Sequence, residues 1–219
     1  MTRNLKALLG VLCGVLALAA AMASAAQAAP KFKAGAFPAT VTGTHVGNVA
    51  MTDEGSITCE EGSYTGTLNE ESSTLRLEPT YSKCKSQGWP VTYKWNGCGY
   101  LLHLKEKTGK ENYKGNFDFA CPAGKVIEAL AYSDAGHTNQ ICRMTIAPQT
   151  GLLSVTYTNY EEAGLPKVEM NFKVEKFVYS QEGSFCVNGK FSNGTLEGLV
   201  ALESENEAEE PTAFEIVGE

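Results

Sequence analysis

The chain has 219 residues, with 18 basic side chains against 25 acidic ones and a net charge of −7. That balance argues against a nucleic-acid partner, whose phosphates demand a basic surface. With 43% hydrophobic residues the chain is long enough to bury a sizeable core.

The first 28 residues read as a secretory signal peptide. Arg3 and Lys6 supply a positive start, and residues 7–23 an apolar run. Ala23-Ser24-Ala25 and Ala26-Gln27-Ala28 offer small-residue cleavage sites. The run is short for a membrane span, and Leu12 ahead of Cys13 is too large for a lipoprotein cleavage site. No second long apolar run follows. The mature chain is therefore expected to lack a transmembrane segment and to be secreted or held at the outer face of the cell envelope. Loss of Arg3 and Lys6 leaves 16 basic against 25 acidic residues, a net charge of −9.

Residues 29–37, "APKFKAGAF", read as a flexible lead. Residues 38–202 then carry short runs that alternate apolar and polar side chains and end in turn residues, the signature of half-buried antiparallel strands. "VTYKW" (91–95) alternates, and "GWPVTYKW" sets Trp89, Val91, Tyr93 and Trp95 on one face. The segment from Cys98 to Cys121 pairs as a hairpin about Gly109-Lys110. That register sets Leu104 against Gly115, Leu102 against Phe117, Tyr100 against Phe119 and Cys98 against Cys121 on an apolar face. Lys105 against Lys114, His103 against Asn116 and Leu101 against Asp118 fall on the other. "KVIEALAY" (125–132), "CRMTIA" (142–147) and "LLSVTYTNY" (152–160) are further strands. In "VEMNFKVEKFVY" the residues Val168, Met170, Phe172 and Val174 share one face. Phe177 and Tyr179 continue after a one-residue phase shift, which places a bulge near Glu175-Lys176. Ten to thirteen strands and no mature helix predict an all-β fold, an antiparallel β-sandwich or barrel. The acid-rich residues 203–219 read as a solvated tail.

Six cysteines remain after residue 28, an even number without any C-x-x-C, which reads as three structural disulfides and not as zinc or thiol–disulfide chemistry. The hairpin register brings Cys98 and Cys121 opposite each other and predicts that bridge independently. Sequential pairing, Cys59–Cys84 and Cys142–Cys186, is preferred for the rest. For Cys59 and Cys84 the simple register puts the cysteines on the face opposite Tyr64, Leu68, Leu75 and Leu77, and a bulge near Pro79 is one way to bring Cys84 across. A faint echo links "CEEGSYTGTL" (59–68) with "CVNGKFSNGTL" (186–196), a cysteine leaving a strand into a glycine turn.

Catalytic signatures are scarce. His45, His103 and His137 show no metal spacing, and no H-E-x-x-H, G-x-S-x-G, calcium loop or phosphate loop occurs. No metal, cofactor or catalytic residue is assigned. Asp134 with His137 is the best acid–base pair, and a hydrogen-bonded loop is its ordinary explanation. The paired acids Glu60-Glu61 and Glu161-Glu162 are expected to face opposite sides of their strands, which argues against a two-carboxylate glycosidase site. Trp89, Tyr93 and Trp95 form the one cluster with a binding character, since aromatic rings in a row stack on sugars. A core face is the competing explanation.

The order of signal peptide, "FPATVTG", "PTYSKC", "WNGCGY", "CPAG", "IAPQ" and "FCVNGKFSNGTLEG" resembles a family of uncharacterised exported proteins from soil actinobacteria. The resemblance spans nearly all of the mature chain and implies export and disulfides. It brings no activity and no catalytic residue. The expectation is an exported, non-enzymatic binding or cell-surface module, with an extracellular polysaccharide or protein as partner. A secreted hydrolase of envelope or extracellular polymer is the alternative.

Overall fold

The computed structural model describes residues 29–45, 49–52 and 56–218. The signal peptide expected over residues 1–28, with Cys13, lies outside the described residues. Fifteen strands form in chain order: β1 (Lys31–Ala34), β2 (Ala39–His45), β3 (Val49–Thr52), β4 (Ile57–Leu68), β5 (Thr74–Ser86), β6 (Trp89–Lys94), β7 (Gly99–Lys107), β8 (Asn112–Ala120), β9 (Ile127–Tyr132), β10 (Gln140–Ile146), β11 (Gln149–Glu162), β12 (Leu165–Gly183), β13 (Gly189–Glu205), β14 (Pro211–Thr212) and β15 (Phe214–Val217). The described chain contains no helix, and every strand pairing is antiparallel.

The pairings close on themselves twice. One ring runs β4, β5, β7, β8, β11, β12, β13, β2 and back to β4. A second runs β4, β5, β6, β9, β10, β12, β13, β3 and back to β4. The long strands β4, β5, β12 and β13 belong to both, so the fold is a barrel of two stacked rings. Closure leaves the rings without free edges.

Where β4, β5 and β12 change partners, their side chains change phase, and β13 reverses ahead of its own change from β3 to β2. Two consecutive residues face outward at Glu60-Glu61 in β4, Ser82-Lys83 in β5, Glu175-Lys176 in β12 and Ser192-Asn193 in β13. Lys83 and Lys176 take positive φ values of 53° and 63° to make the step. The expected bulge at Glu175-Lys176 is present, with a register shift between Glu175 and Phe177. In β4 and β5 the reversals lie side by side, with Glu61 opposite Ser82, and the register stays unbroken from Thr65–Glu78 to Ile57–Ser86. Both cysteines thereby turn inward and Cys59 pairs with Cys84. The reversal sits at Lys83 and not near Pro79. It also corrects the expectation for Glu60 and Glu61, which both face solvent and pair with Lys85 and Lys83. Glu161 and Glu162 are likewise both exposed.

The hairpin β7–β8 keeps the expected register from Gly99–Ala120 to Leu104–Gly115, and Cys98 bonds to Cys121. Beyond Leu104 a bulge sets Glu106, and not Lys105, against Lys114, and Lys107 against Tyr113. The shift exchanges a like-charge pair for an opposite-charge pair and buries Tyr113. Gly115 is required here, because a Cβ would lie 2.1 Å from the His103 carbonyl oxygen. Replacing Cys98 and Cys121 together by alanine should lower stability by about 3 kcal/mol, from the loop entropy returned to the unfolded chain. Urea unfolding of the double variant measures this, and an unchanged midpoint would contradict it.

Both chain ends depart from expectation. Instead of a flexible lead and a solvated tail, β1 and β15 pair with each other, Phe32 opposite Ile216 and Ala34 opposite Phe214. Phe32, Phe214 and Ile216 are fully buried across one end of the first ring. Phe32 stacks on Phe214 and meets Tyr157 edge-on. The Asn159 side-chain amide continues the sheet: its Nδ2 donates to the Ile216 carbonyl and its Oδ1 accepts from the Ile216 amide. Acidic residues stay at the surface in the turn 206–210, closed by Asn206.

Candidate functional site

The third disulfide, Cys142–Cys186, joins β10 to the loop between β12 and β13 at the far end of the second ring. Among the described residues, no strand crosses this end as β1 and β15 cross the other. A cavity of about 50 Å³ opens here, walled by Ile57, Val91, Ala129, Ala131, Ile141 and Met144. Its rim is Ser86, Gln87, Gln181 and the disulfide, together with Trp89 and Phe185. The cavity has a local cause. Pairing of β6 with β9 sets Ala131 opposite Val91 and Ala129 opposite Tyr93, so small side chains occupy one wall.

Trp89 is 38% exposed, Phe185 72% and Val187 51%, three of the four large exposed hydrophobic residues among those described. The rings of Trp89 and Phe185 meet edge-on with centroids 6.4 Å apart. Cys186, between Phe185 and Val187, holds both on a short tether to the barrel wall. Phe185 and Val187 escaped the sequence reading of binding residues. The available signal was "SFCVNG", in which apolar residues flank a cysteine inside a turn where no strand needs them.

The aromatic row divides along β6. Trp89 stands at the rim, whereas Tyr93 and Trp95 pack against the core. They stack on each other at 5.8 Å, and Tyr81 and Tyr100 meet them edge-on. The hydroxyls of Tyr64, Tyr81 and Tyr100 form a chain with links of 3.0 and 2.8 Å. Burial pushes the phenols of Tyr64, Tyr81, Tyr93 and Tyr100 well up from the usual tyrosine range. A shallow cleft of about 580 Å³ outside this cluster includes Lys83, Lys85, Thr92, Tyr93 and His137. Its lysines are already ion-paired to Glu61 and Glu60.

The polar pairs hold loops. Asp134 accepts backbone N–H bonds from Thr138 and Asn139, which pull its carboxyl below the ordinary range. His137 adopts φ 56° and lays its ring against Tyr132. His103 Nε2 lies 2.9 Å from Asp118 Oδ2 on the outer wall of β7–β8, and the Gly151 amide donates to Asp118 Oδ1. This pair pins the start of β11 and lines neither the cavity nor the cleft. Among the described residues no cluster of His, Cys, Asp and Glu has metal-site geometry. No helix long and apolar enough to cross a membrane occurs among the described residues, which says nothing of crossing by strands. Three disulfides fit an oxidising compartment.

No protein-family model, curated protein or solved structure matches this chain.

Proposed function

We propose that this protein is an exported, non-enzymatic binding module that contacts its ligand through the far end of the second ring, and that it belongs with the exported actinobacterial proteins it resembles. The observation that carries the reading is the exposed pair Trp89 and Phe185 beside a small cavity, Phe185 being tethered by the neighbouring disulfide. Large aromatic groups kept at a surface at the cost of hydration mark contact surfaces. Export is supported by the three disulfides together with the N-terminal pattern of residues 1–28. A binding role is favoured over a secreted hydrolase because the close histidine–carboxylate pair His103 and Asp118 is engaged with a backbone amide and lines neither the cavity beside Trp89 nor the cleft at His137.

The test is a tryptophan-fluorescence titration of the oxidised protein against extracellular polysaccharides, peptidoglycan fragments, amphiphiles and envelope proteins. A saturable shift is expected with one class, weakened about tenfold or more in Trp89→Ala and Phe185→Ala proteins that keep their far-UV dichroism. Binding that survives both substitutions would move the site elsewhere. Hydrolysis of any polymer by the purified protein would replace this reading with an enzymatic one.

A further inference from the structure

Resting on the far end as the ligand site, we propose that the cavity behind Trp89 receives the terminal carbons of an unbranched aliphatic chain whose polar head stays outside the rim. The lining is part polar and part apolar, and its apolar part suits such a chain. Ile57, Val91, Ala129, Ala131, Ile141 and Met144 present aliphatic and thioether groups, and no charged residue lines the space. An ionised group placed there would lose its hydration without gaining a partner.

Size narrows the choice. The cavity measures about 50 Å³, whereas an apolar cavity that takes up benzene measures roughly 150 Å³. A sugar or aromatic ring is therefore too large, and a chain end of a few carbons fits. The thioether of Met144 and the disulfide sulfurs are polarisable and adapt to an irregular chain. At the rim the polar groups are neutral: the Ser86 hydroxyl and the Gln87 and Gln181 amides. They can bond an ester, amide or hydroxyl but cannot neutralise a charge. Trp89 and Phe185, edge-on to each other, flank the entrance and cover the next carbons of the chain.

Such a chain end has two sources, a free amphiphile or the acyl chain of an assembled lipid. The experiment uses the oxidised protein and the fluorescence of Trp89, taken as the difference between the wild type and Trp89→Phe. The probes are decanoate brominated at its terminal carbon, decanoate brominated beside the carboxylate, and phosphatidylcholine vesicles with brominated acyl chains. Saturable quenching is expected from the terminal bromide and at most weak quenching from its isomer, because only the chain end reaches past Trp89. Shortening the chain by three carbons should weaken binding about tenfold or more. Ala131→Leu, which fills the cavity, should abolish it. If that variant fails to fold, the dependence on chain length and bromine position decides alone.

Quenching by the free acids supports a free amphiphile, and quenching only by the vesicles supports an assembled lipid. Equal quenching by the two decanoates, or none from any acyl probe, overturns the proposal. A polysaccharide or polypeptide that still bound through Trp89 and Phe185 would then leave the binding-module reading standing with a different ligand. No ligand of any class would remove both.

Discussion

Titration of the protein from neutral pH into alkali is expected to unfold it in one steep step that begins near pH 10. Tyr64, Tyr81, Tyr93, Tyr100 and Tyr157 are all pushed above the tyrosine value of 10, in each case first by burial. A raised pKa means that the folded state holds the proton after the unfolded chain has released it. The stabilisation is complete below pH 10 and falls as pH rises toward the folded-state values. Each tyrosine contributes a slope of about 1.4 kcal/mol per pH unit, so the five together reach about 7 kcal/mol within one unit. Few domains have more stability than that to lose. Tyrosinate absorbance and far-UV dichroism, followed on the same samples, should change together. Stepwise ionisation of all the tyrosines with the dichroism intact would show that the aromatic cluster is open to water.

Phe214→Ala is expected to cost about 3–5 kcal/mol, the penalty for a fully buried aromatic whose site cannot collapse. Phe214 is 0% exposed and lies against Phe32, itself 0% exposed. Deleting residues 211–219 should cost more, because it also removes Ile216 and leaves Phe32 and the Asn159 amide without partners in β15. Glu209→Ala, in the same acid-rich segment but on the exposed turn, should stay within about 0.5 kcal/mol of the wild type. Urea unfolding of the three proteins separates a folded plug from a solvated tail. Equal midpoints for Phe214→Ala and Glu209→Ala would rule out the plug.

What was legible in the sequence was local. Alternation with period two marked the inward faces of β7, β8 and β12, because a strand turns successive side chains to opposite sides whatever its neighbours are. Glycine and proline turns bounded those strands, and the hairpin register alone joined Cys98 to Cys121. The break at Glu175-Lys176 showed as a slip in alternation within one strand. At the candidate site Trp89 was singled out together with Tyr93 and Trp95, which pack against the core, whereas the ring that stands beside Trp89 is that of Phe185.

The plug left almost no trace in the sequence, because four residues around Phe32 and four around Phe214 are too short to display a period, and the surrounding glutamates dominate the composition. The paired reversals at Glu60-Glu61 and Ser82-Lys83 were hidden for a related reason. Each strand changes phase where it changes partners, β4 from β3 to β2 and β5 from β7 to β6, and which strands flank it is not written in its own residues. The sequence by itself determined the antiparallel strands, their turns and the oxidised cysteine framework, all consequences of backbone alternation and of contacts within a few tens of residues. Only the tertiary structure decided that the strands close into two rings, that the chain ends seal one of them, and that Trp89, Phe185 and a small cavity meet at the other. Ring closure is a condition on all the strands at once, and no segment carries it alone.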